Sequence, residues 1–210
     1  MGNAFLTIAT TPSVLAAQTA HGSAGLYDKV GGHRPADRFG AAEAQFIAQR
    51  DSFYLASVSE SGWPYVQHRG GPPGFLKVLD EATLAFADFR GNRQYITLGN
   101  VAADDRVAVF LMDYPRRRRL KLYAHIEVRD LAADPALAAA LDLAGYRAVP
   151  ERAFVLRLEA FDWNCPQHIM PRFTEAEIAA ASAPLVARVG ELEEENAKLR
   201  AELVARNNIA

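Results

Sequence analysis

The chain has 210 residues, of which 50% are hydrophobic and 23% are charged, so it can bury one sizeable core and is too apolar for a disordered polypeptide. Its 23 Lys and Arg residues nearly balance 25 Asp and Glu residues, and a formal net charge of −2 gives no general electrostatic reason to expect nucleic acid or an anionic membrane as a partner. The single cysteine, Cys165, excludes an intrachain disulfide and agrees with a reducing cytoplasm, where we expect the protein to reside.

Two short helices are predicted in the first 50 residues. Thr11 can cap a helix that begins at Pro12 and ends near Ala20. A second helix is expected from about Ala41 to Gln49. We expect residues 1–50 to form a helical segment that packs on the main domain.

From Ser52 the apolar pattern changes to that of β-strands. FYLASVS and WPYVQHR flank the turn ESG and predict a hairpin, and FLKVL and TLAFA predict a second pair. Three more strands are expected in RVAVFLM, LKLYAHIEV and FVLRLEAFD, with short helices at about residues 93–100 and in PALAAALDLA. About seven short strands joined mostly by tight turns favour a mainly β fold, an antiparallel barrel with flanking helices. We place this barrel at residues 51–173.

A polar, cationic turn follows strand TLAFA. The chain turns through residues 88–91, and Asn92 is well placed to cap the helix that follows. Backbone N–H groups, the helix dipole and the guanidiniums of Arg90 and Arg93 would then converge on one point, which suits a phosphate. The alternative is an ordinary capped helix with solvated arginines.

The segments around this turn carry a family resemblance. VQHRGGPPGFLKVLD before it and RRRRLKLYAHIEV after it resemble the pyridoxamine 5′-phosphate oxidase-like family, the FMN-binding split barrels, and more narrowly its flavin-nucleotide-binding branch; the resemblance covers about residues 40–175. It implies an antiparallel split β-barrel in which a basic strand segment, a polar turn and the next helix start hold the FMN phosphate and ribityl chain. By position, the implied cofactor-binding residues are Gln67, His68, Arg69, Asp88, Phe89, Arg90, Asn92, Arg93 and Gln94. Gln94 stands where the family usually has Lys, so phosphate binding would depend more on the arginines.

Four consecutive arginines, residues 116–119, precede LKLYA. Four adjacent cations could contact a nucleic-acid backbone. No aromatic residue is interleaved with them, as single-strand binding would favour, so we expect a solvated hairpin tip and no nucleic-acid partner. The resemblance gives Arg119 the position of a polar residue that contacts the flavin.

The segment DWNCPQHIMPRF, residues 162–173, contains the remaining candidates. Cys165 and His168 have a C-x-x-H spacing, but no second cysteine is available, so we expect no metal and a buried, small apolar role for Cys165. The resemblance implies that Trp163 and Arg172 reach the flavin across a homodimer interface, and it adds Gln167 and His168 to the candidate site. Trp163 could equally be core. The Arg-x-His pair with which the oxidase proper engages its pyridoxal-type substrate is not kept, which counts against pyridoxamine phosphate oxidation but not against flavin binding.

The last segment, residues 174–210, predicts a long helix with a heptad pattern. Leucines occupy the d positions, and Asn196 lies at an a position, which favours a parallel two-stranded coiled coil. A single amphipathic helix lying on the barrel is the alternative. The a and d positions are Leu185, Val189, Leu192, Asn196, Leu199 and Leu203.

Together these features predict a homodimeric FMN-binding flavoprotein, most simply a flavin-dependent oxidoreductase acting on a small molecule. The alternatives are a non-catalytic flavin store or sensor, and a split barrel that binds a deazaflavin or haem. His68 is the one candidate acid or base, because imidazole titrates near neutrality, although a structural histidine on a strand is the more common case. No apolar run approaches the roughly 20 residues of a membrane span, so no membrane partner is expected.

Overall fold

The computed structural model describes residues 3–26 and 37–207. Residues 27–36 of the predicted N-terminal segment therefore lie outside the described residues. The chain divides into two compact units, Met1–Ile169 and Met170–Ala210. The strands are β1 (Ser52–Val58), β2 (Pro64–Gly70), β3 (Lys77–Asp80), β4 (Thr83–Phe89), β5 (Arg106–Asp113), β6 (Arg118–Arg129) and β7 (Pro150–Asn164). The α-helices are α1 (Asn3–Ala9), α2 (Pro12–Ala20), α3 (Ala41–Ala48), α4 (Ile96–Ala103), α5 (Pro135–Leu141) and α6 (Glu175–Asn207).

All seven strands form one antiparallel sheet in the order β2-β1-β5-β6-β7-β4-β3. The sheet curls around a core but is not closed, because its two ends are the edge strands β2 and β3. This confirms the predicted mainly β, antiparallel split barrel with flanking helices.

Alternation along the strands separates an inner from an outer face. In β1, Phe53 and Leu55 are buried while Tyr54 is exposed, as expected when successive side chains point to opposite faces. Strand β4, which lies between β7 and the edge strand β3, is buried on both faces. Its Phe86 contributes to the main core, whereas Ala87 packs with residues of α5.

The two predicted N-terminal helices are both present. Thr11 caps α2, its Oγ1 accepting a hydrogen bond from the Val14 N–H at 3.4 Å, and α3 is the helix predicted from Ala41. Helix α1 was not predicted. It is held by tertiary packing, because the Phe5 ring stacks on Tyr123 of β6 with 4.4 Å between ring centroids.

The second unit contains the 33-residue helix α6, which agrees with the predicted C-terminal helix. None of its described residues is buried, and it contains Pro184. Within residues 3–26 and 37–207, no helix combines the length and apolarity needed to cross a membrane.

Candidate functional site

A cleft of about 170 Å³ opens where the inner faces of β2 and β4, the start of β7 and the segment before α4 meet. The inner positions of β2 alternate, so this strand contributes every second side chain to the cleft. Six of the residues predicted from the sequence line it: Gln67, Arg69, Asp88, Phe89, Asn92 and Arg93.

Asp88 holds two arginines at the mouth of the cleft. Its Oδ1 accepts a hydrogen bond from Arg69 Nη1 at 2.6 Å, and its Oδ2 accepts one from Arg152 Nη1 at 2.8 Å. All three side chains are at most 18% exposed, so these charge-assisted bonds are poorly screened by solvent. The register of β4 against β7 sets Asp88 directly opposite Arg152. A single carboxylate therefore orients both guanidiniums.

Arg69 is further fixed by aromatic contacts. Its guanidinium carbon lies 5.8 Å from the centroid of the Phe86 ring and 5.5 Å from that of the Phe154 ring. Its Nε is buried and has no hydrogen-bond partner within the described residues. Such a buried donor is costly unless another group satisfies it, so this atom indicates a ligand or water at the cleft.

Glu151 is a second anionic centre at the cleft. Burial tends to raise the pKa of its carboxyl, but hydrogen bonds from Arg90 and Tyr95 outweigh this and lower the pKa below its ordinary value. Arg90 Nε lies 3.1 Å from Glu151 Oε1, and the Tyr95 hydroxyl donates to the same oxygen at 3.3 Å. Tyr95 in turn raises the pKa of the Arg93 guanidinium through a hydrogen bond. Arg93 thus stays fully charged beside the cleft.

The segment between β4 and α4 corrects two expectations. Asp88 and Phe89 belong to strand β4, so the turn begins only at Arg90. Asn92 does not cap a helix, because α4 begins at Ile96 and Tyr95 occupies its N-cap.

The physical reason lies in local hydrogen bonding. Asn92 Oδ1 accepts a hydrogen bond from the Gln94 N–H at 3.1 Å, which competes with helix initiation, and both Arg93 (φ 61°) and Tyr95 (φ 53°) have left-handed backbone conformations. A candidate phosphate at this point would therefore meet a cationic loop and not the start of a helix.

Polar contacts tie α4 to the β1–β2 hairpin. The Thr97 hydroxyl donates to Gln67 Oε1 at 2.7 Å, and Asn100 Nδ2 donates to Ser57 Oγ at 3.0 Å. Thr97, Asn100 and Ser57 are buried, so these bonds keep the loop before α4 close to β2.

Three predicted residues lie near the cleft but do not line it. His68 is on the outer face of β2, where its ring packs edge-on against Tyr54 at 5.6 Å, because neighbouring residues of a strand point in opposite directions. Arg90 is 59% exposed and is bound by Glu151. The Gln94 side chain is exposed, and its Oε1 accepts a hydrogen bond from Asn92.

The remaining predicted residues of the first unit do not line the cleft. Trp163 and Glu151 lie on the same strand, twelve residues apart, which corresponds to about 40 Å along an extended chain. Trp163 Nε1 donates to Glu43 Oε1 at 2.8 Å, and the guanidinium of Arg118 lies over the Trp163 ring at 4.4 Å.

Arg119 lies at this same end of the sheet, paired with Met112 and Asn164. Gln167 and His168 are exposed turn residues, and Arg172 belongs to the second unit. A role for this group at a flavin held by another subunit stays a prediction.

Two further expectations need correction. Cys165 is exposed and not buried, because it follows the end of β7 and precedes Pro166, where no strand face directs it inward. The arginine run is not wholly a hairpin tip, since β6 already begins at Arg118. Arg116 pairs with the buried Asp113 at 3.2 Å.

Sequence reasoning missed Glu151, Arg152, Tyr95 and Thr97. Arg152 and Glu151 precede the apolar run of β7, where they resemble ordinary solvated strand-end charges. Their proximity to Asp88 depends on strand register, which local sequence does not reveal. The one available signal was an unusual charge pair, Glu151 and Arg152, at the start of a buried strand.

Several solved structures resemble this chain at low sequence identity. The chain is similar to crystal structures of a tagged HupZ from Group A Streptococcus (14% identity, TM-score 0.49, covering 64% of this chain and 100% of that one) and of an FMN-binding protein from Syntrophomonas wolfei (15%, 0.42, 57% and 81%). It is also similar to a Clostridium acetobutylicum protein related to general stress protein 26 of B. subtilis, of the pyridoxinephosphate oxidase family. The identity is 14% and the TM-score 0.43, and the match covers 64% of this chain and 92% of that one.

All three TM-scores are below 0.5, so the family assignment rests on sequence alone. No curated protein matches the chain. The family model described as pyridoxamine 5′-phosphate oxidase matches residues 39–162, which is more than half of the chain and includes the whole cleft. The chain therefore belongs to the pyridoxamine 5′-phosphate oxidase family.

Proposed function

We propose that the protein is an FMN-binding flavoprotein, an oxidoreductase for a small molecule, whose cleft binds the phosphate end of FMN. Family membership supports a flavin phosphate as the ligand class. The single observation that carries the proposal is the charge of the cleft and its immediate contacts. Four arginines face two carboxylates there, a formal charge of +2, and the six residues are Arg69, Asp88, Arg90, Arg93, Glu151 and Arg152.

A phosphate monoester complements this charge. It carries roughly −1.5 to −2 near neutral pH and offers three strong acceptor oxygens. Asp88 and Glu151 neutralise part of the arginine charge and hold the guanidiniums in place before a ligand arrives, so little ordering is left to be done on binding.

The donors present fit the cofactor. The buried Nε of Arg69 needs a hydrogen-bond acceptor. Arg93, whose backbone is left-handed, lies in the same loop as Gly91 and lines the cleft with its side chain. Gln67 and Asn92 carry amides that both donate and accept hydrogen bonds, as the hydroxyl groups of a ribityl chain require. Phosphate would be bound by Arg69 and Arg93, and the ribityl chain by the amides.

The size of the cleft supports a second subunit. Sites for ligands the size of a drug occupy roughly 300–1,000 Å³, whereas this cleft measures about 170 Å³. We therefore assign the ring system to a homodimer interface, where Arg119, Trp163, Gln167, His168 and Arg172 of the other subunit would approach it.

An apolar outer surface suits such an interface. Tyr54 and Val66 are 40% and 61% exposed on the outer faces of β1 and β2, and together with Phe110 they line a second cavity of about 360 Å³. Exposed apolar patches of this kind mark interaction sites.

When bound, FMN supplies hydride and electron transfer, and the protein contributes binding, orientation and exclusion of water. His68 packs against Tyr54 on the outer face, which supports a structural role for it in this subunit.

The proposal is tested by the visible absorption spectrum of the purified protein, followed by titration with FMN and, in parallel, with riboflavin. Tighter binding of FMN than of riboflavin is expected, because riboflavin lacks the phosphate. Mass spectrometry of the released cofactor separates FMN from a deazaflavin or haem. Anaerobic reduction of the bound flavin by NADH or NADPH is expected for an oxidoreductase, whereas a flavin that binds but is never reduced indicates a store or sensor. Absence of flavin binding by the full-length protein would refute the proposal.

A further inference from the structure

Helix α6 presents an uncovered apolar stripe. Helix α6 is 33 residues long and extends over about 50 Å. Each apolar side chain of the stripe is at least 46% exposed. A single helix with this pattern gains little stability on its own, because the packing of its apolar face against another element supplies most of the stability of a helix. The stripe consists of Leu185, Val189, Leu192, Leu199 and Leu203.

We propose that α6 pairs in parallel with α6 of a second copy of this chain, forming a two-stranded coiled coil from Leu185 onward. This proposal does not rest on flavin binding. Leucine fills the three d positions, and a β-branched residue, Val189, fills an a position, the combination that favours two parallel strands.

Asn196 identifies the partner and its direction. It lies at an a position in the middle of the stripe, and a parallel dimer places it against the partner's Asn196, where the two amides satisfy each other. In an antiparallel pair it would face an apolar d residue and lose that hydrogen bond. A second copy in the same register is therefore the occupant that the polar residue matches.

Charges beside the stripe agree with this register. Arg188 lies at a g position and can meet the partner's Glu193 at e, and Glu195 can meet the partner's Arg200 in the same way. Arg188 already contacts Glu191 within its own helix at 2.8 Å, so the interchain contact would share or replace that pair.

Pro184 marks the start of the coil. It has no N–H and cannot form the backbone hydrogen bond that continues the helical ladder, so the helix is weakened directly before the stripe begins. Residues 175–183 therefore need not follow the coil.

Position-specific cross-linking in the full-length protein tests the proposal. In a Cys165→Ser background, Leu185→Cys and Leu199→Cys place a thiol on the stripe near either end. Matched controls, Ala187→Cys and Ala201→Cys, place it two residues away on the outward f position. Under mild oxidation the stripe variants should form reducible dimers about tenfold faster than their controls, because a disulfide requires Cβ atoms roughly 3.5–4.5 Å apart.

The outcomes are distinct. Dimers from each stripe variant alone support parallel pairing, and they do so whether or not the barrels also dimerise, since the controls share the same barrel. Cross-links that form only when the two stripe variants are mixed show an antiparallel pair and overturn the proposal. Stripe variants that react no faster than their controls also overturn it.

A second variant guards against a cysteine that disturbs the helix. Asn196→Asp, added to Leu185→Cys, sets two carboxylates against each other in a parallel coil and should slow cross-linking about tenfold relative to Leu185→Cys alone at neutral pH. Acid slows the oxidation of every thiol, but the ratio of the two rates measured at the same pH should return toward one as the carboxylates are protonated. Ala201→Asp, which adds the same charge on the outward face, should leave the rate unchanged. Equal rates for the two aspartate variants would contradict a buried Asn196 pair.

Discussion

Asp88 and Arg152 face each other across β4 and β7, with Arg152 Nη1 2.8 Å from Asp88 Oδ2, although 64 residues separate them in the chain. Arg69 Nη1 binds the other oxygen of the same carboxylate at 2.6 Å. Asp88 thus has two roles: it links β2 to β7 at the mouth of the cleft, and it positions two cations of the candidate phosphate site.

Replacing Asp88 by Asn should lower the free energy of unfolding by about 3 kcal/mol, because removing one member of a largely buried ion pair leaves uncompensated charge. Urea denaturation measures this loss. Glu81→Gln is the matched control, since Glu81 pairs with Arg38 at the surface and should contribute less than about 1 kcal/mol. Equal losses in the free energy of unfolding for the two substitutions would show that the Asp88 ion pairs stabilise the fold no more than a surface pair does.

Arg93 should bind phosphate without stabilising the fold. Arg93→Gly is expected to weaken FMN binding roughly 10- to 100-fold, the loss of a hydrogen bond to a charged group, while riboflavin affinity changes little. Glycine is chosen because Arg93 has φ 61°, which glycine adopts without strain, so stability should not fall. Isothermal titration measures both affinities, with Arg38→Ala as the control for a lost surface cation. An FMN affinity equal to that of the unsubstituted protein would remove Arg93 from the site.

Asp104 should contribute to the acid sensitivity of the protein. Hydrogen bonds from the side chain and backbone of Arg106 lower the pKa of Asp104 from 3.8 to about 2. As pH falls from about 4 to 2, the unfolded chain takes up this proton before the folded one, so the stabilisation present above pH 4 is lost across that window. Carboxyl chemical shifts in an NMR titration report the midpoint directly. Arg106→Ala should return the pKa toward 3.8, and a midpoint near 4 in the unsubstituted protein would contradict the contact.

If Trp163 and Arg172 complete the flavin site of another subunit, bound FMN should be lost as the protein dissociates on dilution. Sedimentation velocity with detection at a flavin absorption band follows cofactor and protein together. Trp163→Phe keeps an aromatic ring against Phe46 and serves as a variant with a milder defect. Monomers that keep a full complement of flavin would rule out a shared site.

Local signals in the sequence determined much of the fold. Residues close together in the chain determine the cap at Thr11, the β1–β2 hairpin around ESG and the alternation in the strands. The local residue pattern was therefore sufficient to predict these elements. The polar residues Arg69 and Asp88 could be selected because they interrupt or end apolar strands and match a family motif. Family membership likewise followed from segments in order along the chain.

The tertiary structure decided which of these residues share a site. Strand register set Arg152 opposite Asp88, and strand alternation placed His68 outside the cleft, next to Tyr54. Packing of Phe5 on a ring of β6 stabilised a helix with no strong signal of its own. In each case the deciding free energy comes from contacts between residues distant in the chain, which depend on how the strands pair and not on the local sequence of either partner.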